Sequence, residues 1–155
     1  MPPKAFQDRY PDNYAHCYGC GRLNKNGLQI KSYWDGEESV CHFKPRPDYT
    51  GGFPHYLYGG LIASLMDCHG AGTAAAAKAK ADGNDMETTP LPRFVTARLE
   101  VDYLSPTPVD TDLEIRGKII SIEGRKVQVE LTLKSQNRIC AKGKTLMILI
   151  PENDS

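Results

Sequence analysis

The segment that most constrains this chain is a single helix that is apolar on one side and small on the rest. From Gly59 onward, Leu61, Ile62, Leu65, Met66 and His69 recur at helical spacing. The run from Ala71 to Ala81 is almost entirely strong helix formers. The pattern predicts a helix starting near Gly59 and stopping near Asp82-Gly83, where glycine suits a C-terminal cap. A helix with so little large polar surface belongs inside a domain, so the rest of the chain has to cover it.

The flanking sequence supplies strands for that purpose. Leu28, Ile30 and Tyr33-Trp34 suggest a first strand, Asp35-Gly36 a hairpin turn, and Ser39 to Lys44 the return strand, stopped by Pro45 and Pro47. After a polar linker from Asn84 to Pro92 the text turns strongly to period two. Val95, Ala97, Leu99, Val101 and Tyr103 alternate with polar residues. Leu113, Ile115, Gly117 and Ile119 follow, then Val127, Val129, Leu131 and Leu133 after a Glu123-Gly124 turn, then a last strand from about Arg138 to Ile150. Long half-buried strands joined by short turns imply an antiparallel sheet of five to six strands. The face of Ile139, Ala141 and Gly143 is small, which suits close contact with a helix. The fold class is therefore α+β: an antiparallel sheet wrapped around one long central helix. Residues 1–27, rich in Pro, Asn, Gly and Tyr, read as an irregular lead-in with one short helical turn, and residues 28–150 as the single domain.

Composition narrows the function. Lys plus Arg number 19 and Asp plus Glu number 19, for a net charge of zero, so no basic footprint for nucleic acid is expected. No apolar run has the length of a membrane span, and Met1 to Arg9, with two prolines and several charges, does not read as a signal peptide. The five cysteines are odd in number and irregular in spacing, which points to a reducing, cytoplasmic compartment.

Few residues carry chemistry. Asp67 lies off the Leu61, Leu65, Met66 stripe, with Gly60, Ala63, Ser64, Ala71 and Ala74 at helical spacings around it. A carboxylate among small side chains has room beside it for a water or a substrate, as a general base needs. Gly59-Gly60 opens the same helix, where unpaired backbone N–H groups suit an oxyanion. His69, two positions after Asp67, points elsewhere by about 200 degrees on a helix and reads as a packed, hydrogen-bonded histidine. Cys17-Tyr18-Gly19-Cys20-Gly21, preceded by His16, looks like half a zinc knuckle. With Cys41, Cys68 and Cys140 isolated in sequence, it reads as a tight turn with small buried thiols, and neither metal nor cofactor is expected.

Taken together, these motifs resemble the PaaI-like branch of hot-dog-fold acyl-CoA thioesterases over roughly residues 16–150. The markers are Cys17-x-x-Cys20-Gly21, Asn26-Gly27-Leu28, Gly52-Phe53-Pro54, Tyr58-Gly59-Gly60-Leu61-Ile62-Ala63-x-Leu65-x-Asp67, Val95-Thr96-Ala97, Val101-Asp102-Tyr103-Leu104-x-Pro106 and Glu123-Gly124-Arg125-Lys126. The resemblance implies hydrolysis of an acyl-CoA to free acid and CoA. Asp67 would be base or nucleophile, the Gly60 amide beside Gly59 would polarise the carbonyl, and Thr96 would assist the water. It also implies a homodimer or dimer of dimers with sites built from both protomers. Tyr58, Ser64, Arg125 and Lys126 are the candidate substrate contacts.

The chain departs from the family at Tyr58, where His is usual, and at Gly52, where some members carry Asn. Both departures fit the alternative of a non-catalytic acyl-CoA or lipid-binding module. A hydratase would want a His paired with the carboxylate, which His69 is badly placed to be. Thr96 raises a geometric condition: simple alternation puts it on the face opposite Val95 and Ala97, so it reaches the site only if the strand is bulged or that face borders a subunit interface.

Overall fold

The computed structural model describes residues 3–85 and 90–151; the middle of the expected linker, residues 86–89, lies outside them. The strands are β1 (Ser32–Asp35), β2 (Glu38–Phe43), β3 (Arg93–Tyr103), β4 (Leu113–Glu123), β5 (Lys126–Ser135) and β6 (Arg138–Ile150), with the helix α1 (Gly59–Ala81) between β2 and β3. They form one six-stranded sheet in the order β1-β2-β4-β5-β6-β3, antiparallel throughout. The first strand begins at Ser32, later than Leu28 and Ile30 suggested, because those residues are tied by backbone bonds to Tyr18 and Gly19 of the lead-in instead. The turns fall where the sequence placed them, with Gly36 and Gly124 at positive φ (67° and 61°).

The sheet packs on α1 through β3, β4, β5 and β6. Leu65 and Met66 are fully buried and Ile62 nearly so, whereas Leu61, expected in the core, is half-buried at the first turn. Across the sheet, Ile115, Val127, Val129, Leu131, Leu133 and Met147 are fully buried. Each such side chain contributes about 1.5–3 kcal/mol of transfer free energy. Contact is closest where one partner has no side chain. A Cβ on Gly143 of β6 would lie 2.7 Å from the Met66 Sδ and 2.7 Å from the Glu100 carbonyl oxygen, and one on Gly70 of α1 would lie 2.9 Å from Thr145 Oγ1.

Bulges correct two of the alternation readings. Between β5 and β6 the register shifts at Leu133/Lys134, next to Cys140 on β6. The shift buries Cys140 with Ala141 and turns Ile139 outward, so Ile139 does not share the small inner face. On β3 the register shifts between Thr96 and Arg98. Leu99 and Val101 pack inward beyond the bulge, while Val95 before it and Ala97 at it are exposed, so these residues do not line one common face.

The lead-in forms two short 3-10 turns, Phe6–Arg9 and Asp12–Tyr14, rather than one. Phe6 stacks edge-on against Trp34 at 5.1 Å and joins Ala75, Ala76, Ala79 and Leu91 in a small apolar cluster at the far end of α1. Gln7, fully buried, donates from Nε2 to Ser32 Oγ (3.0 Å) and accepts from the Ser32 amide (2.7 Å). Ser32 Oγ in turn lies 2.8 Å from His69 Nδ1, and Ser39 Oγ lies 2.9 Å from His69 Nε2 and 2.6 Å from Thr73 Oγ1. His69 is thus the packed histidine expected, and burial pushes it down to about 4, so the ring is neutral near neutral pH.

Two stability outcomes follow. Gly143→Ala has to displace backbone as well as Met66, so it should lower unfolding free energy by about 1–3 kcal/mol in a denaturant titration. His69→Ala leaves two buried serine hydroxyls short of a partner and opens a cavity, and should cost about 2–5 kcal/mol in the same assay.

Candidate active site

Asp67 sits two turns into α1, on the side facing β3. Thr96 Oγ1 donates to Asp67 Oδ1 at 2.5 Å. The β3 bulge is what makes this possible. Thr96 pairs with Met147 before the register shift, and its hydroxyl also lies 3.5 Å from Met147 Sδ, on the helix side of the sheet. The condition set by the alternation pattern, that Thr96 reaches the site only if the strand is bulged, is met.

Asp67 and Thr96 line a cavity of about 240 Å³ with Tyr10, Cys17, Cys20 and Cys68. A larger cavity of about 670 Å³ lies at the other end of α1, by Lys78, Asp82 and Pro92, and contains none of the predicted site residues. In the smaller one a carboxylate, Asp67, is hydrogen-bonded to a hydroxyl donor, Thr96, at the cavity wall.

The other predicted residues gather at the start of α1 or lie off it. Tyr58 precedes the helix, and its exposed ring rests against Gly60, where an added Cβ would lie 2.5 Å from the ring carbons. Tyr103 Oη donates to the Gly59 carbonyl at 2.7 Å, and Ser64 Oγ to the Gly60 carbonyl at 2.9 Å. Tyr58, Gly59, Gly60 and Ser64 do not line the Asp67 cavity. Asp67 lies seven positions after Gly60 on the helix, about 10 Å along the axis. Arg125 lies in the β4–β5 turn and Lys126 opens β5. Arg125 Nε donates to the Leu149 carbonyl at 2.9 Å, while Lys126 is exposed and pairs with Ile148 in the ladder.

Sequence reasoning missed the thiols. Cys68, isolated in sequence, comes to Cys17 and Cys20, and the three sulfurs lie within 4.8 Å of one another. Cys17 Sγ and Cys68 Sγ are 3.7 Å apart. The neighbouring Cys20 and Cys68 thiols hold the Cys17 thiol well below the usual range, while Cys17, Cys20 and burial push Cys68 up. The Cys-x-x-Cys spacing was the one available signal. Nothing local points from it to a residue 51 positions on.

An antiparallel sheet wrapped around one buried helix is the hot-dog fold. The structure superposes on the E. coli PaaI protein with a TM-score of 0.64 at 15% identity, over 80% of this chain and 81% of that one. It superposes on a thioesterase superfamily protein from Shewanella loihica PV-4 with a TM-score of 0.68 at 44% identity, over 90% of this chain and 98% of that one. Residues 55–142 match the thioesterase superfamily profile, and the chain belongs to that family, whose chemistry is thioester hydrolysis. Acyl-coenzyme A thioesterase THEM4 of Xenopus laevis is 35% identical over 98 residues; the match takes in 63% of this chain and 38% of that protein. Among the described residues, no helix is long and apolar enough to cross a membrane.

Proposed function

We propose that the chain hydrolyses an acyl-CoA thioester to free acid and CoA, with Asp67 as the base or nucleophile. The hydrogen bond from Thr96 to Asp67 at the wall of a cavity is the observation that carries this reading. As a base, Asp67 takes a proton from water while the water oxygen bonds to the thioester carbon. The carbon–sulfur bond then breaks, and the CoA sulfur leaves with a proton. Thr96, by donating to Oδ1, holds the carboxylate in one orientation and leaves Oδ2 for the water. The likeness to an acyl-CoA thioesterase from Xenopus laevis supports the choice of substrate class.

The carbonyl also needs donors. The Gly59-Gly60 helix start has unpaired amides of the right kind, but it lies about 10 Å along the axis from Asp67 of the same chain. A second copy resolves the distance if the helix start of one protomer serves the carboxylate of the other. The edge strand β3 supports such a dimer: it is 11 residues long, is paired among the described residues only on its β6 side, and leaves Val95 and Tyr103 exposed.

The alternative, a non-catalytic acyl-CoA-binding module, draws on Tyr58, whose ring rests on Gly60 where a carbonyl would approach. Turnover of a panel of acyl-CoA thioesters, followed with a thiol-reactive dye, separates the two. Asp67→Asn should lower turnover by about two to four decades with CoA affinity and melting temperature little changed. Thr96→Ala, losing a hydrogen bond to a charged group, should lower it by about ten- to a hundredfold. An Asn variant that folds and turns over at the wild-type rate would remove Asp67 from the chemistry, and a parent chain that binds CoA but turns over none of the panel would hand the lead to the binding module. Sedimentation at micromolar concentration should give a dimer or a dimer of dimers, and a monomer there would remove the shared site.

A further inference from the structure

The three-thiol cluster lies outside the hydrolytic chemistry, and its geometry is that of a coordination site. Cys17 and Cys20 come from one loop of the lead-in, and Cys68 from α1, one position after Asp67. Cys20 and Cys68 are buried, while Cys17 is exposed and leaves the cluster open to solvent on one side. A zinc–thiolate bond is about 2.3 Å, so two sulfurs on a tetrahedral ion stand about 3.8 Å apart. Cys17 and Cys68 stand 3.7 Å apart. A disulfide would need the sulfurs at about 2.0 Å.

The surrounding backbone fits the same purpose. The Gly21 amide donates to the Cys17 carbonyl at 2.7 Å and closes the turn. A Cβ on Gly19 would lie 2.3 Å from Cys68 Sγ, so a glycine is what lets the loop come down onto the helix. Among the described residues, no further His, Cys, Asp or Glu joins the three sulfurs. The fourth corner therefore falls to water or an exogenous donor.

We propose that Cys17, Cys20 and Cys68 form a three-thiolate site for a zinc-class divalent cation. The ion clamps the lead-in loop to α1 beside Asp67 and keeps one coordination position for a non-protein ligand. Three soft thiolates in a tetrahedral setting favour such an ion over magnesium or calcium, which prefer oxygen donors. Binding displaces the thiol protons and links the lead-in to the domain thermodynamically.

The test uses the full chain, reduced and freed of metal with a chelator, and titrated with Co²⁺. One equivalent should bind, with thiolate-to-cobalt charge transfer in the near ultraviolet and tetrahedral bands in the visible. Zn²⁺ should displace it and raise the melting temperature. Cys17→Ser and Cys68→Ser should each weaken binding by at least about tenfold and bleach the charge-transfer band. Cys17 is exposed, so its variant keeps the test valid should the buried Cys68 variant fail to fold. Cys140→Ser, whose hydroxyl can take over the contacts to the Pro106 and Arg138 carbonyls, should bind as the parent does. Three results would overturn the proposal: no tetrahedral thiolate spectrum, a Cys17→Ser variant that binds like the parent, or a Cys17–Cys68 disulfide persisting under reductant. All are read on metal and mass, so the site stands or falls independently of acyl-CoA turnover.

Discussion

The close seating of α1 on the sheet is the contact on which the rest of this structure depends. A helix and a sheet approach as nearly as their side chains allow, and here glycines remove the obstruction in turn. Gly143 admits Met66, Gly70 admits Thr145, and Gly117 lies against Ser39, Thr73 and His69. Dispersion falls off steeply with separation, so this interdigitation makes the core dense as well as apolar. It also carries a polar network, Gln7–Ser32–His69–Ser39–Thr73, through the same layer. That network holds the lead-in on the domain by hydrogen bonds that water cannot replace once the helix is buried.

The site borrows its precision from this seating. Because α1 is pinned, the side chain of Asp67 emerges at a defined level beside β3. One extra residue in β3 then turns Thr96 toward it, while Leu99 and Val101 beyond the bulge still face the core. A bulge thus lets one strand face the core at Leu99 and the Asp67 carboxylate at Thr96. The thiols show the same economy: Cys68 follows Asp67 on the helix, and the lead-in loop meets it only because Gly19 has no side chain. A carboxylate and a metal-competent cluster therefore share a single cavity wall.

Much of this was legible in the residues. The helix bounds follow from a change of period and a glycine stop, and the strand order along the chain from alternation between turn signals. The burial of His69 follows from its angle to Asp67. Among the readings that failed, two assume an unbroken strand. Ile139 was grouped with Ala141, and Val95 and Ala97 with Leu99, because alternation has no way to register an inserted residue. Bulges are set by which partner residues pair across the sheet, and that information is not local.

The sequence by itself determined that one helix must be buried, that an antiparallel sheet must cover it, and that Asp67 sits among small neighbours on its flank. These are consequences of period and side-chain size, which act within a few residues. Only the tertiary structure decided that Thr96 meets Asp67, that the Gly59-Gly60 amides lie out of reach of that carboxylate in one chain, and that Cys68 joins two cysteines from the lead-in. Each of these depends on the register of one element against another. Register is chosen by the packing of the whole core, so no short window of sequence contains it.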